Sequence, residues 1–142
     1  AIIVSEHADL NLVVPGVVFG AVGTAGQRCT TTRRVLVHET IYDEVKQRLA
    51  RAYAQLRIGD PLDPHHHVGP LIDELAVGSY QLAIQKIREL GGTFVVEPEV
   101  LAGEGYESGC YVRPCIAEVQ NHWPIVQHET FAPILYLMKY ST

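Results

Sequence analysis

Apolar residues recur at helical spacing along the first part of the chain, at Leu10, Val13, Val14, Val17, Val18 and Ala21. Pro15 falls inside that pattern and should kink the helix or delay its start, because it has no backbone donor. Gly23 and Gly26 break the pattern, and Val35-Leu36-Val37 then reads as a short buried strand. A second helix is expected from Thr40, with Asp43 three residues on as a loose capping pair. Its inner face is Ile41, Val45, Leu49, Ala52, Tyr53 and Leu56, and Gly59 is a natural stop. Residues 59–70 carry three prolines and form a loop. Asp73 caps a third helix, with Val77, Tyr80, Ile84 and Ile87 inward and Gly91-Gly92 at its end. Strand patterns follow at Thr93–Val96, at Tyr111–Val119 with Pro114 inside, and at Ile134–Met138. Residues 101–109 form a glycine-rich loop. Strands alternating with helices predict an α/β domain of three layers with a largely parallel sheet. The segments near Val35–Val37, Thr93–Val96 and Ile134–Met138 should run parallel, covered by the helices that begin near Thr40 and Asp73.

Composition narrows this picture. The chain has 142 residues, of which 47% are hydrophobic, enough for one packed domain. A formal net charge of -5 argues against a nucleic-acid surface. No apolar run reaches the length of a membrane span, so no membrane partner is expected. The opening Ala1-Ile2-Ile3-Val4 is apolar but lacks the basic region and cleavage site of a leader. Three widely spaced cysteines, Cys29, Cys110 and Cys115, make no disulfide framework. They fit a reducing compartment, and the chain is expected to be cytoplasmic. Both ends lie in strand-like runs, which predicts a piece of a longer enzyme.

The chemistry concentrates in two stretches. In Gly26-Gln27-Arg28-Cys29-Thr30 a thiol sits in a loop between a helical and a strand pattern, among small and polar neighbours. Such a loop can present a nucleophile, although a lone cysteine is as readily a packing residue. His128-Glu129-Thr130-Phe131-Ala132-Pro133 is either a polar turn before a strand or a binding segment. Arg28 could orient a carboxylate or pair with a structural acid. Consecutive histidines such as His65-His66-His67 do not converge easily on one ion, so a solvated loop is the better reading and no metal is expected. Cys110 and Cys115 read as packing residues, and Trp123 as part of a packed turn.

With its flanks, Gly23-Thr24-Ala25-Gly26-Gln27-Arg28-Cys29-Thr30-Thr31-Thr32-Arg33-Arg34 resembles the nucleophile segment of aldehyde dehydrogenases. Glu129-Thr130-Phe131-Ala132-Pro133 resembles that family's Glu-x-Phe-(Gly/Ala)-Pro motif. Glu129 follows Cys29 by 100 residues, in the family's order. Between them, Gly59-Asp60-Pro61 and Val68-Gly69-Pro70-Leu71-Ile72 look like two further family segments, so the resemblance covers essentially the whole chain. Val14-Pro15, Thr24-Ala25-Gly26, the Thr-Thr-Thr-Arg-Arg run and Thr130–Leu135 look most like the antiquitin branch, which oxidises α-aminoadipic semialdehyde.

The resemblance implies that residues 1–142 are part of the nucleophile-bearing catalytic domain. It implies Cys29 as nucleophile, with its own N–H as one oxyanion donor. It implies Glu129 on the nicotinamide ribose and Phe131 beside the nicotinamide; Arg28 stands as a substrate-binding candidate on its charge alone. The cofactor would be NAD, with NADP left open, and the partner a small-molecule aldehyde. The family's general-base segment, its oxyanion asparagine, its Rossmann domain and its subunit-joining C-terminal segment have no counterpart here. The 142 residues alone are therefore expected to be inactive, and apolar surface left uncovered predicts a homo-oligomer. Two other readings stay open: a non-catalytic α/β interaction module, and a thiol hydrolase pairing Cys29 with His38.

Overall fold

The computed structural model describes residues 1–142. A five-stranded sheet carries the architecture, in the order β1-β2-β5-β4-β3. Its strands are β1 (Ile2–Val4), β2 (Arg34–His38), β3 (Thr93–Val96), β4 (Cys115–Glu118) and β5 (Ile134–Tyr140). The helices are α1 (Leu10–Val22), α2 (Tyr42–Ala54), α3 (Glu74–Glu89) and the single turn α4 (Pro124–Gln127). Four strands run parallel: β1 beside β2, β2 beside β5, and β4 beside β5. Ile134 to Met138 of β5 are buried at five consecutive positions, so both faces of the sheet centre are covered. That continuous apolar run is the mark of a parallel strand between two layers.

The two long helices follow from their sequence. Val45, Leu49 and Tyr53 repeat every four residues and are buried in α2. Val77, Tyr80, Ala83, Ile84 and Ile87 mix three- and four-residue spacings and are buried in α3. The Asp73 carboxylate caps α3 by accepting from the Ala76 N–H at 2.8 Å. The start of α2 differs from the expected Thr40–Asp43 pair. A short 3₁₀ turn, Glu39–Ile41, precedes the helix, and the His38 ring caps that turn by accepting from the Thr40 N–H. Asp43 instead lies in the first turn of α2, where a negative charge suits the helix dipole.

Pro15 neither delays nor ends α1. Asp9 caps this helix at Asn11 with a 2.9 Å bond, and the chain stays helical through Pro15 to Val22. The helix is apolar nearly all round. Val17, Ala21 and Val22 are buried, whereas Leu12 and Phe19 are 74% and 70% exposed.

One expected strand direction is wrong. Thr93–Val96 is a strand, but it pairs antiparallel with β4 at the sheet edge. A parallel pair needs a crossover of a dozen or more residues, usually a helix. The link from Val96 to Cys115 has no helix and returns on itself through an antiparallel bridge between Val100 and Val112. The broad strand expected over Tyr111–Val119 shortens for the same reason to β4, entered through Pro114.

Candidate active site

The C-terminus of α1 and the N-terminus of β2 frame a strained turn. Thr24 and Ala25 have φ of 54° and 51°, and Gly26 has φ of 70°. Left-handed geometry at two non-glycine residues is costly and persists only where the surroundings hold it. Those holders are visible. Gly26 packs so closely on the segment before β5 that a Cβ there would lie 2.5 Å from the Ala132 carbonyl. The Gln27 amide oxygen accepts from the Ile72 N–H at 2.9 Å, and its NH₂ donates to the Thr24 carbonyl at 3.2 Å. The Thr32 N–H donates to the Gly20 carbonyl at 2.9 Å.

Cys29 stands at the tip of this braced turn and is exposed. On one side, the Arg28 N–H donates to Thr31 Oγ1 at 3.0 Å, and the Thr31 N–H donates back to the Arg28 carbonyl at 3.1 Å. The Arg28 side chain folds back over α1. Its Nε donates to Thr24 Oγ1 at 2.7 Å, and its guanidinium carbon lies 5.9 Å from the Phe19 ring centre. Its terminal nitrogens make no bond within the chain.

Cys29 lines an open cleft of about 280 Å³ together with Arg33, Gln127, His128, Glu129 and Tyr136. Glu129 comes from the segment between α4 and β5, so the fold brings the two chemistry-bearing stretches to one place. The Glu129 carboxylate is exposed on one side, and its single partner is Arg33 Nε at 3.4 Å. Phe131 lies just beyond, 44% exposed. It lines a smaller cleft of about 190 Å³ against α3, and Glu129 borders both clefts. The Tyr136 hydroxyl is buried without a partner, and burial raises its pKa. A larger cleft of about 610 Å³, around Tyr42, Glu118 and Lys139, holds no cysteine.

The other sequence candidates go elsewhere. His38 sits at the far end of β2 from the Cys29 turn, where its ring meets Thr40 at 2.9 Å and Tyr140 edge-on. The pairing that a Cys29–His38 hydrolase needs is therefore not formed. His128, which that reading overlooked, shares the cleft, but no hydrogen bond joins it to Cys29. His65, His66 and His67 face different partners: the Asp63 carboxylate, the Asp60 carbonyl and the Arg57 N–H. Cys115 is fully buried in β4, and Cys110 is half-buried.

The family model for the aldehyde dehydrogenase family matches residues 1–142, the whole chain. The chain belongs to the aldehyde dehydrogenase family. It is 50% identical over 142 residues to the alpha-aminoadipic semialdehyde dehydrogenase of Mus musculus, covering 99% of this chain and 26% of that protein. It is 42% identical to the aldehyde dehydrogenase family 7 member A1 of Brassica napus, covering all of this chain and 28% of that one. The chain thus spans about a quarter of the length of these relatives. The fold superposes on the NAD+ complex of betaine aldehyde dehydrogenase from Staphylococcus aureus with a TM-score of 0.95, at 24% identity, over 99% of this chain and 28% of that one.

Within this aldehyde dehydrogenase chain, two residues matter that the sequence did not single out. Gln27 latches the Cys29 turn to the Gly69–Ile72 segment, and Arg33 joins that turn to Glu129. Both were visible only as members of quoted motifs. A polar residue beside a cysteine carries no signal of its partner 40 or more residues away.

Proposed function

We propose that this chain is the nucleophile-bearing part of an NAD(P)-dependent aldehyde dehydrogenase acting on a semialdehyde of the α-aminoadipic type, with Cys29 as nucleophile. One observation carries the reading. An exposed thiol on a strained, braced turn shares a cleft with a carboxylate that lies 100 residues further along the chain.

The Cys29 thiolate adds to the aldehyde carbon and forms a C–S bond, and the carbonyl oxygen becomes an oxyanion. N–H donors aimed at that oxygen stabilise it, and the Cys29 N–H at the tip of the turn is the donor this chain offers. The Arg28 guanidinium, next in sequence and with its terminal nitrogens unpaired, suits the carboxylate at the far end of such a substrate. All three cysteines are free thiols, and the chemistry needs Cys29 to remain one, so a reducing compartment such as the cytoplasm fits it.

The residues present fit a nicotinamide nucleotide. The second Glu129 oxygen makes no bond within the chain and can accept from ribose hydroxyls, beside the exposed, apolar Phe131 ring. NAD or NADP, when bound, is the hydride acceptor. Glu129 and Phe131 orient the ring and take no part in bond making. Loss of hydride from the adduct carbon leaves a thioester on Cys29, and water hydrolyses it to free the carboxylic acid and the thiol.

In the full-length enzyme, Cys29→Ser is expected to lose aldehyde oxidation by at least about a thousandfold with the fold unchanged, as a thiolate is by far the better nucleophile. Glu129→Gln is expected to slow hydride transfer while acylation by a nitrophenyl ester persists. Near-normal oxidation by Cys29→Ser, measured as NADH formation, would sink the reading. Ester acylation lost as fully as oxidation in Glu129→Gln would refute the positioning role.

A further inference from the structure

We propose that Arg33 is a positioning residue that holds the nucleophile turn and the Glu129–Phe131 segment in one fixed relation. The proposal rests on the reading of Cys29 and Glu129 given above.

The guanidinium makes five hydrogen bonds. Nη1 donates to the carbonyls of Gly26 at 3.2 Å, Thr130 at 2.6 Å and Ala132 at 3.3 Å. Nη2 donates to the Arg28 carbonyl at 3.2 Å, and Nε reaches Glu129 Oε1 at 3.4 Å. The guanidinium carbon also lies 4.7 Å from the Phe131 ring centre. Two of the carbonyls belong to the turn that presents Cys29, and two flank Phe131. The root of the side chain is fixed as well, because the Arg33 carbonyl accepts from the Tyr136 N–H of β5 at 2.8 Å. The side chain is only 14% exposed. A cation so little hydrated needs these acceptors, and it loses several of them if the two segments part.

The neighbouring Arg34 has one side-chain bond, at 3.4 Å to Asn121, so the two arginines are not equivalent. Lysine cannot replace Arg33. Its compact ammonium has three donors and no planar fork, and it cannot serve two backbones at once in this geometry. The consequence concerns distance. Addition to the aldehyde depends on the Cys29 turn, which Gln27, Thr31 and Thr32 also brace. Hydride transfer depends on where that turn stands relative to the nicotinamide, which Glu129 and Phe131 orient. Arg33 therefore matters for the second step more than for the first.

The test compares wild type, Arg33→Lys, Arg33→Gln and Arg33→Ala in the full-length enzyme. Three rates are measured: alkylation of Cys29 by iodoacetamide, acylation by a nitrophenyl ester without cofactor, and single-turnover hydride transfer with aldehyde carrying hydrogen or deuterium at C1. For Arg33→Lys, alkylation and ester acylation should stay within about threefold of wild type. Hydride transfer should fall about a hundredfold, the cost of a misplacement near 1 Å. The deuterium effect on kcat should rise as that step becomes limiting. A merely structural role would lower all three rates together with the folded fraction and leave the isotope effect unchanged, and that result would overturn the proposal. If Arg33→Ala fails to fold, the Lys and Gln variants decide the question. Wild-type hydride transfer in Arg33→Lys overturns the proposal alone. A wild-type enzyme that oxidises no aldehyde overturns the underlying reading and the proposal with it.

Discussion

Cys29 and Cys115 show how position decides what a thiol can do. Cys29 stands exposed on a strained turn, whereas Cys115 lies in β4 with no accessible surface. Burial pushes the Cys115 pKa up to about 12, against about 8.5 for a free thiol. The thiolate is the reactive form, so iodoacetamide near pH 7.5 should modify Cys29 in the folded protein and reach Cys115 only after unfolding. Peptide mapping by mass spectrometry checks this, and early labelling of Cys115 would contradict its placement. The same shift sets a pH dependence. The folded state keeps the Cys115 proton that the unfolded chain gives up. Its contribution to stability is whole below about pH 8.5 and is lost progressively up to about pH 12. Burial also raises Tyr42, Tyr53 and Tyr80, which steepens the loss above about pH 10. Urea unfolding between pH 8 and 11 should show falling stability, with a shallower fall in Cys115→Ala. The exposed position of Cys29 was legible in the sequence from its small and polar neighbours. Arg33 was not, since its partners at Gly26, Thr130 and Ala132 come from two segments and are backbone atoms, which leave no trace in residue type.

Elements built on local periodicity were readable, and those that depend on distant pairing were not. The inner faces of α2 and α3 follow from spacing alone, because Val45, Leu49 and Tyr53, or Val77, Tyr80 and Ile84, fall on one side of any helix. The direction of β3 depends on what joins it to β4, and a loop of 18 residues without helical pattern was itself the clue to an antiparallel return. Pro15 did not delay the start of α1, because the Asp9 cap upstream of it sets that start. The Cys29 turn between α1 and β2 gives a sharper test. Gly26→Ala combines a left-handed φ with a Cβ driven into the Ala132 carbonyl. It should destabilise the fold by about 2–4 kcal/mol and slow ester acylation at Cys29. Gly78→Ala, in α3 with open space around it, should instead stabilise by about 0.5–1 kcal/mol. Thermal melts of both variants check the pair. A neutral Gly26→Ala would mean that the turn is not held as the structure has it.

At the scale of the whole molecule, the 142 residues hold a packed sheet, the Cys29 turn and the Glu129–Phe131 segment, and they also leave apolar surface open. Ile3 of the edge strand β1 is 70% exposed, and Leu12 and Phe19 of α1 are 74% and 70% exposed. A helix apolar on every side is normally buried on every side. An edge strand with unpaired backbone groups invites another chain. The relatives are about four times as long, since this chain covers 26% of the mouse protein. The exposed face of α1 and the edge of β1 are then the surfaces on which further parts of a longer chain would pack. Two behaviours are expected of the 142 residues expressed alone. They should self-associate, and sedimentation velocity should show a dimer or larger species whose share falls in a Leu12→Glu, Phe19→Glu double variant. They should also fail to bind NAD tightly, because Glu129 and Phe131 offer one carboxylate and one ring, and nothing in the described fold grips the pyrophosphate or the adenine. Helix N-termini with glycine-rich loops commonly hold such phosphates. The N-terminus of α1 instead carries Asp9, whose negative charge repels them. Titration calorimetry with NAD should therefore show no binding below about 1 mM, weaker than about 4 kcal/mol of affinity. Micromolar binding, or aldehyde oxidation by the chain alone, would show that these residues form a complete catalytic unit and that the open face of α1 has another purpose.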